Sequence, residues 1–149
     1  MTPIRSCDVH IDGASHGNPG PAGVGVALQD GRGALRQFAQ YIGETTNNVA
    51  EYLALVYALQ EALQAGYTAV TVKTDSELLA RQINGRYKVR DPQLKLLHDL
   101  ARHLIGGFAR CTVEHIPREE NALADRLAGD AVKSRRDFAD CQQRLHRSL

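Results

Sequence analysis

The stretch Asn48–Asp75, NVAEYLALVYALQEALQAGYTAVTVKTD, decides the architecture. Val49, Leu53, Val56, Leu59 and Leu63 recur at the spacing of one helical face, and Gly66 follows as a stop signal, so the pattern predicts a helix from Asn48 to Ala65. Val70 to Thr74 is a short β-branched run, which predicts a strand. A strand reached through a helical crossover lies parallel to one laid down earlier.

Upstream of this unit, the sequence predicts three strands, roughly Ser6 to Asp12, Val24 to Gln29 and Leu35 to Ile42. Cys7, Val9 and Ile11 alternate with polar residues as in a half-buried strand. Gly31 and Gly33 mark the turn between the second and third strands, and short connections make these three antiparallel neighbours. Downstream, helices are expected over Ser76 to Ile83, Pro92 to Ile105 and Asn121 to about Val132, with a fifth strand over Cys111 to Ile116. Pro92 suits a first helical position, and Gly106-Gly107 ends that pattern. The expected fold is therefore α/β, a five-stranded mixed sheet (three antiparallel strands, then parallel ones) flanked by helices. Residues 1–149 are expected to form one domain with a core over about 5–132; the charged tail, 133–149, either extends the last helix or frays.

Four acids stand apart from any charge run. Asp12 and Asp75 close two predicted strands, Glu51 falls in the predicted first turn of the long helix, and Asp125 lies in the first turns of the last helix. If the two strands are parallel neighbours, their carboxyl ends line the crevice where open α/β sheets place their chemistry. First-turn acids also satisfy a helix dipole, so Glu51 and Asp125 are not diagnostic singly. Together the four suggest a metal site. With no accompanying His/Cys cluster, they suit a hard cation such as Mg²⁺ better than zinc.

Bulk properties narrow the setting. With 43% hydrophobic residues in 149, the chain can bury a real core. A formal charge of +1 gives no global pull toward polyanions or membranes, so a polyanion must be held by local basic patches or bound cations. Cys7, Cys111 and Cys141 form no CxxC pair, and Cys7 and Cys111 lie in apolar strand patterns, which leads to the expectation of a reduced, cytoplasmic protein. No apolar run of about 18 residues and no signal-peptide pattern is present, so no membrane association is expected.

Four segments carry a family resemblance: Asp12-Gly-Ala-Ser-His-Gly-Asn-Pro-Gly-Pro-Ala-Gly, Thr45-Thr46-Asn47-Asn48-Val49-Ala50-Glu51, Thr74-Asp75-Ser76, and Asn121-Ala122-Leu123-Ala124-Asp125. In order and spacing they resemble the signature segments of type 1 ribonuclease H, over residues from about 5 to 132. The resemblance implies a ribonuclease H-like fold and an endonuclease that cuts the RNA strand of RNA–DNA hybrids without base-sequence specificity. It further implies two Mg²⁺ ions per site, with Mn²⁺ able to substitute. Asp12 would bridge both ions, with Glu51 and Asp75 on one side and Asp125 on the other. Substrate contacts would come from Gly13, Ser15, Asn18, Asn47, Asn48 and Ser76. Asn47 and Asn48 have two compatible readings, since either can cap the helix and amides placed there can also reach ribose 2′-hydroxyls in a minor groove.

The chain departs from the family pattern twice. The basic, tryptophan-containing insertion of many members is reduced to Gln82–Arg90, QINGRYKVR, in a chain with no tryptophan. Arg86, Lys88 and Arg90 there form either a small phosphate-positioning patch or a solvated loop. The histidine that many members carry in a loop before the last acid is also missing, that loop reading Pro117-Arg118-Glu119-Glu120-Asn121, with Arg118 or Glu119 as possible substitutes. His115, on a predicted strand, is read as structural. These departures keep an alternative open, a ribonuclease H-like module that grips hybrid or double-stranded RNA with weak or no cleavage. No protein partner is implied, and a monomer is expected.

Overall fold

The computed structural model describes residues 4–134; most of the tail, residues 135–149, lies outside the described residues. Five strands form one sheet: β1 (Ser6–Ser15), β2 (Gly20–Asp30), β3 (Leu35–Thr45), β4 (Ala69–Thr74) and β5 (Arg110–His115), in the order β3-β2-β1-β4-β5. The first three pair antiparallel, while β4 pairs parallel with both β1 and β5, so the mixed sheet expected from the crossover is present. Among the described residues four helices complete the fold: α1 (Asn47–Gln64), α2 (Glu77–Ile83), α3 (Pro92–Ile105) and α4 (Ala122–Lys133), the last preceded by a 3₁₀ turn over Arg118–Glu120.

Alternation along β2 explains why the two faces carry different helices. Val24, Val26 and Leu28 point into a core shared with Ala54, Leu55, Ala58 and Leu59 of α1, and α3 packs on α1 from outside. Gly23 and Gly25 face the other way, where a Cβ on Gly25 would overlap the Ala124 carbonyl and one on Gly23 would come within 2.8 Å of the Ala131 Cβ. The two missing side chains let α4 lie directly on the sheet, with Ala124, Ala128 and Ala131 buried beneath it. No helix among the described residues is long and apolar enough to cross a membrane.

Several boundaries differ from expectation. The Gly/Pro-rich segment after Asp12 forms a shorter turn than its composition suggests, because β1 runs on to Ser15 and β2 begins at Gly20. Asp12 therefore pairs with Gly25 inside a strand and does not close one. Its expected relation to Asp75 nevertheless holds. The last rung of the β1–β4 ladder is Ile11–Thr74, and both acids follow that rung directly. Helix α1 begins at Asn47, which puts Glu51 beyond the first turn. His115 ends β5 with an exposed side chain, so packing gives it no structural role.

Candidate metal and nucleic-acid site

Parallel pairing of β1 with β4 sets Asp12 beside Asp75, and α1 brings Glu51 over them. Carboxylate oxygens of Asp12, Glu51 and Asp75 all lie within 4.8 Å of one another. The close approach of α1 has a local cause. A Cβ on Gly13 would overlap the Ala50 carbonyl group and the Glu51 nitrogen, so only glycine lets the helix sit this near the strand. The Gly13 N–H then donates to Glu51 Oε2 at 3.2 Å.

Asp12 is 5% exposed. Burial, followed by the negative charge of Asp75 and the contact with Asp125, pushes its carboxyl up to about 8. Glu51 is likewise pushed well above the ordinary carboxylate range, by burial first and then by Asp12 and Asp75. Acids this close cannot all ionise without a compensating positive charge. An all-oxygen donor set with this repulsion suits a hard divalent cation held by a few carboxylates and water. Asp125 lies outside the three-acid group but reaches Asp12 and lines the same cavity, while Arg118 Nη2 stands 3.7 Å from its Oδ1.

That cavity, of about 710 Å³, also gathers most of the residues expected to touch substrate: Gly13, Ser15, Asn47, Asn48 and Ser76 line it. Asn18 does not line it, and its Oδ1 instead accepts the Asn47 backbone N–H at 3.1 Å. Asn47 Oδ1 accepts from both the Ser15 backbone N–H and the Ser15 hydroxyl at 2.9 Å, closing a clasp between the β1–β2 turn and the start of α1. Neither asparagine caps α1. Thr46 does so, its hydroxyl oxygen accepting the Val49 N–H at 3.3 Å, and Asn48 stays exposed on the rim. Ser76 caps α2 by accepting the Leu79 N–H at 3.2 Å, so its hydroxyl is partly committed to the fold.

Sequence reasoning missed the far wall. Arg126, Asp130 and Lys133 line the cavity from α4, with Gly129 between them. Their i, i+4, i+7 spacing on the helix that bears Asp125 is the signal that locates them. The Asn84–Asp91 connection between α2 and α3 is short, as the sequence implies, with Arg86, Lys88 and Arg90 exposed. Gln82 Nε2 donates to the Lys88 carbonyl at 3.4 Å, while Gln82 Oε1 accepts from the Tyr52 hydroxyl at 2.6 Å, tying this loop to α1.

A family model described as reverse transcriptase-like matches residues 10–131. Ribonuclease HI of Halobacterium salinarum is 41% identical over 135 residues, covering 89% of this chain and 68% of that protein. The crystal structure of RNase H1 from the same archaeon superposes with a TM-score of 0.84 at 39% identity, covering 87% of this chain and 98% of the other. An RNase H1 crystallised in complex with RNA/DNA hybrid superposes with a TM-score of 0.81 at 42% identity, covering 86% and 97% of the two chains. A bifunctional protein of Mycobacterium tuberculosis is 44% identical over 126 residues, which are 83% of this chain and 35% of that protein, so the chain spans about a third of that relative's length.

Proposed function

As the chain belongs to the type 1 ribonuclease H family, we propose that it is an endonuclease that hydrolyses the RNA strand of RNA–DNA hybrids without reading base sequence. The observation that supports this most is the three-carboxylate cluster at the end of the β1–β4 ladder, inside a cavity of about 710 Å³ that Ser15, Asn47, Asn48 and three cationic side chains also line. Asp12, Glu51 and Asp75 would hold one divalent cation, and Asp12 with Asp125 a second, as Mg²⁺ or, in its place, Mn²⁺. When bound, such a pair supplies an activated water and charge stabilisation for a phosphodiester displacement.

The chain's own residues do the rest. Gly13 fixes the Glu51 carboxylate through its N–H, keeping that acid aimed at Asp12. The Ser15–Asn47 clasp leaves the Asn47 Nδ2 group as a free donor on the cavity rim beside exposed Asn48, an arrangement suited to 2′-hydroxyl recognition in a minor groove. Asn18 supports that clasp from behind and acts on substrate through Asn47. The cations Arg118, Arg126 and Lys133 border the same space and suit the phosphate backbone. Free thiols at Cys7 and Cys111, both pushed up to about 11 mainly by burial, accord with a reducing cytoplasm. We take the working unit to be a monomer, with the cavity complete within one chain.

The test is cleavage of a labelled hybrid in Mg²⁺ and, separately, in Mn²⁺, with Asp12→Asn as the control. Release of RNA fragments by the wild-type chain alone supports the enzyme. Tight hybrid binding with no cleavage in either ion would replace it with the binding-module reading.

A further inference from the structure

Asn121 is the one residue among those described with a buried side-chain polar atom lacking any partner, its Oδ1. The residue is 1% exposed, and its Nδ2 donates to the Ile11 carbonyl at 2.8 Å across 110 positions of chain. That orientation is fixed by chemistry, because a carbonyl oxygen only accepts and so must face the amide nitrogen. Ile11 is the residue before Asp12 and the last β1 residue paired with β4. On its other side, the Asn121 carbonyl accepts the Asp125 N–H at 3.1 Å in the opening turn of α4. One buried residue thus bonds directly to the backbone beside Asp12 and to the backbone of Asp125.

The Asn121 amide makes one buried hydrogen bond, through Nδ2, and its Oδ1 meets no protein partner among the described residues. Nor does the side chain cap α4, where an asparagine would otherwise be useful. What the amide does provide is a rigid distance. Elsewhere α4 meets the sheet through Ala124, Leu127, Ala128, Ala131 and Val132 against Gly23 and Gly25, contacts that set how close the helix lies.

We propose that Asn121 is a positioning residue that sets the separation of Asp12 and Asp125, and through it the affinity of the cation shared by those two acids. This rests on the reading of the carboxylates as a divalent-cation site. The experiment is Mn²⁺ binding by calorimetry to the wild-type chain, Asn121→Leu, Asp125→Asn and the double variant, with melting temperatures measured in chelator. Leucine approximates asparagine in shape and removes the donor. The expected result is an Mn²⁺ affinity lowered about 10- to 100-fold in Asn121→Leu, the range usual for residues that orient metal ligands. In the Asp125→Asn background the same change has less than about a threefold further effect, because the spacing it sets no longer matters. An equal loss with and without Asp125, or no loss in either, overturns the proposal. If Asn121→Leu does not fold, Asn121→Ser, too short to reach Ile11, carries the same comparison. Failure of the wild-type chain itself to take up Mn²⁺ overturns the metal reading, and this proposal with it.

Discussion

The Gly13 N–H donates to Glu51 Oε2 at 3.2 Å, and the same glycine leaves the space that lets α1 reach the strand. A methyl group there has only backbone to push against, the Ala50 carbonyl and the Glu51 nitrogen. Gly13→Ala is therefore expected to destabilise the chain by about 1–3 kcal/mol through overpacking. It should also lower hybrid cleavage by about 100-fold or more at temperatures where the variant remains folded, because Glu51 moves with its helix. Thermal melts beside a cleavage assay check this. Wild-type turnover in a folded Gly13→Ala chain would show that the Glu51 position is not critical.

Asp12 makes the stability of the metal-free protein depend on pH. Its folded-state value of about 8 exceeds the ordinary 3.8, so between those limits the folded state binds more protons than the unfolded one and stability falls as pH rises. Ionising a carboxyl held one pH unit above its ordinary value costs about 1.4 kcal/mol, and solvent relaxation around the cavity reduces the whole effect to about 1–3 kcal/mol. In chelator, Asp12→Asn should melt several degrees above wild type at about pH 8, with the gap narrowing as pH falls and closing below about pH 4, under the ordinary carboxyl value of 3.8. Added Mg²⁺ should raise the wild-type melting temperature more at the higher pH than at the lower, since the cation competes with protons for the same oxygens. A pH-independent difference between wild type and variant contradicts this account.

Arg118 lies 3.7 Å from Asp125 with its side chain largely exposed, so as a stabilising ion pair it is worth at most about a few tenths of a kcal/mol. Its place on the cavity rim, in the 3₁₀ turn that leads into α4, gives it a second use beside Asp125. Arg118→Ala should leave the melting temperature within about 2 °C of wild type and lower kcat about tenfold or more with KM little changed, and Arg118→Lys should recover part of the loss. An unchanged kcat would leave Arg118 as surface decoration.

How much of the fold and site is legible in the sequence depends on the range over which each feature is set. The α1 repeat and the β-branched run of β4 are local patterns, and together they force the parallel pairing that brings Asp12 to Asp75. The four acids and most of the rim residues follow from ordered motifs. Contacts between distant segments are not legible. Thr46, Asn47 and Asn48 are all good capping residues, and only the position of Ser15 across the turn shows that Asn47 is engaged sideways while Thr46 takes the cap. Gly13 reads as a turn glycine until Ala50 is found against it; Gly23 reads as the end of the Gly/Pro-rich turn and Gly25 as an ordinary strand residue until α4 lies on them. Asn121 belongs to the last motif, yet its bond to Ile11 spans 110 positions and has no sequence signal.

The α4 wall offers a prediction about how the substrate is held. Arg126 and Lys133 are exposed, line the cavity with the acids, and have no carboxylate in ion-pairing range among the described residues. Seven residues apart on a helix, their Cα atoms rise about 10.5 Å along the axis, roughly two turns, which suits two phosphates of one strand. Contacts of this kind hold the backbone and carry no base information, so their removal should act on binding alone. Each phosphate contact contributes about 0.7–0.9 to the slope of log affinity against log salt concentration. Arg126→Ala with Lys133→Ala should therefore reduce that slope for hybrid binding by about 1.4–1.8, raise KM several-fold at moderate salt, and leave kcat near wild type. The loss should be the same for hybrids of unrelated base sequence. An unchanged slope in the double variant would place the strand elsewhere, with the Arg86, Lys88 and Arg90 loop as the next surface to test.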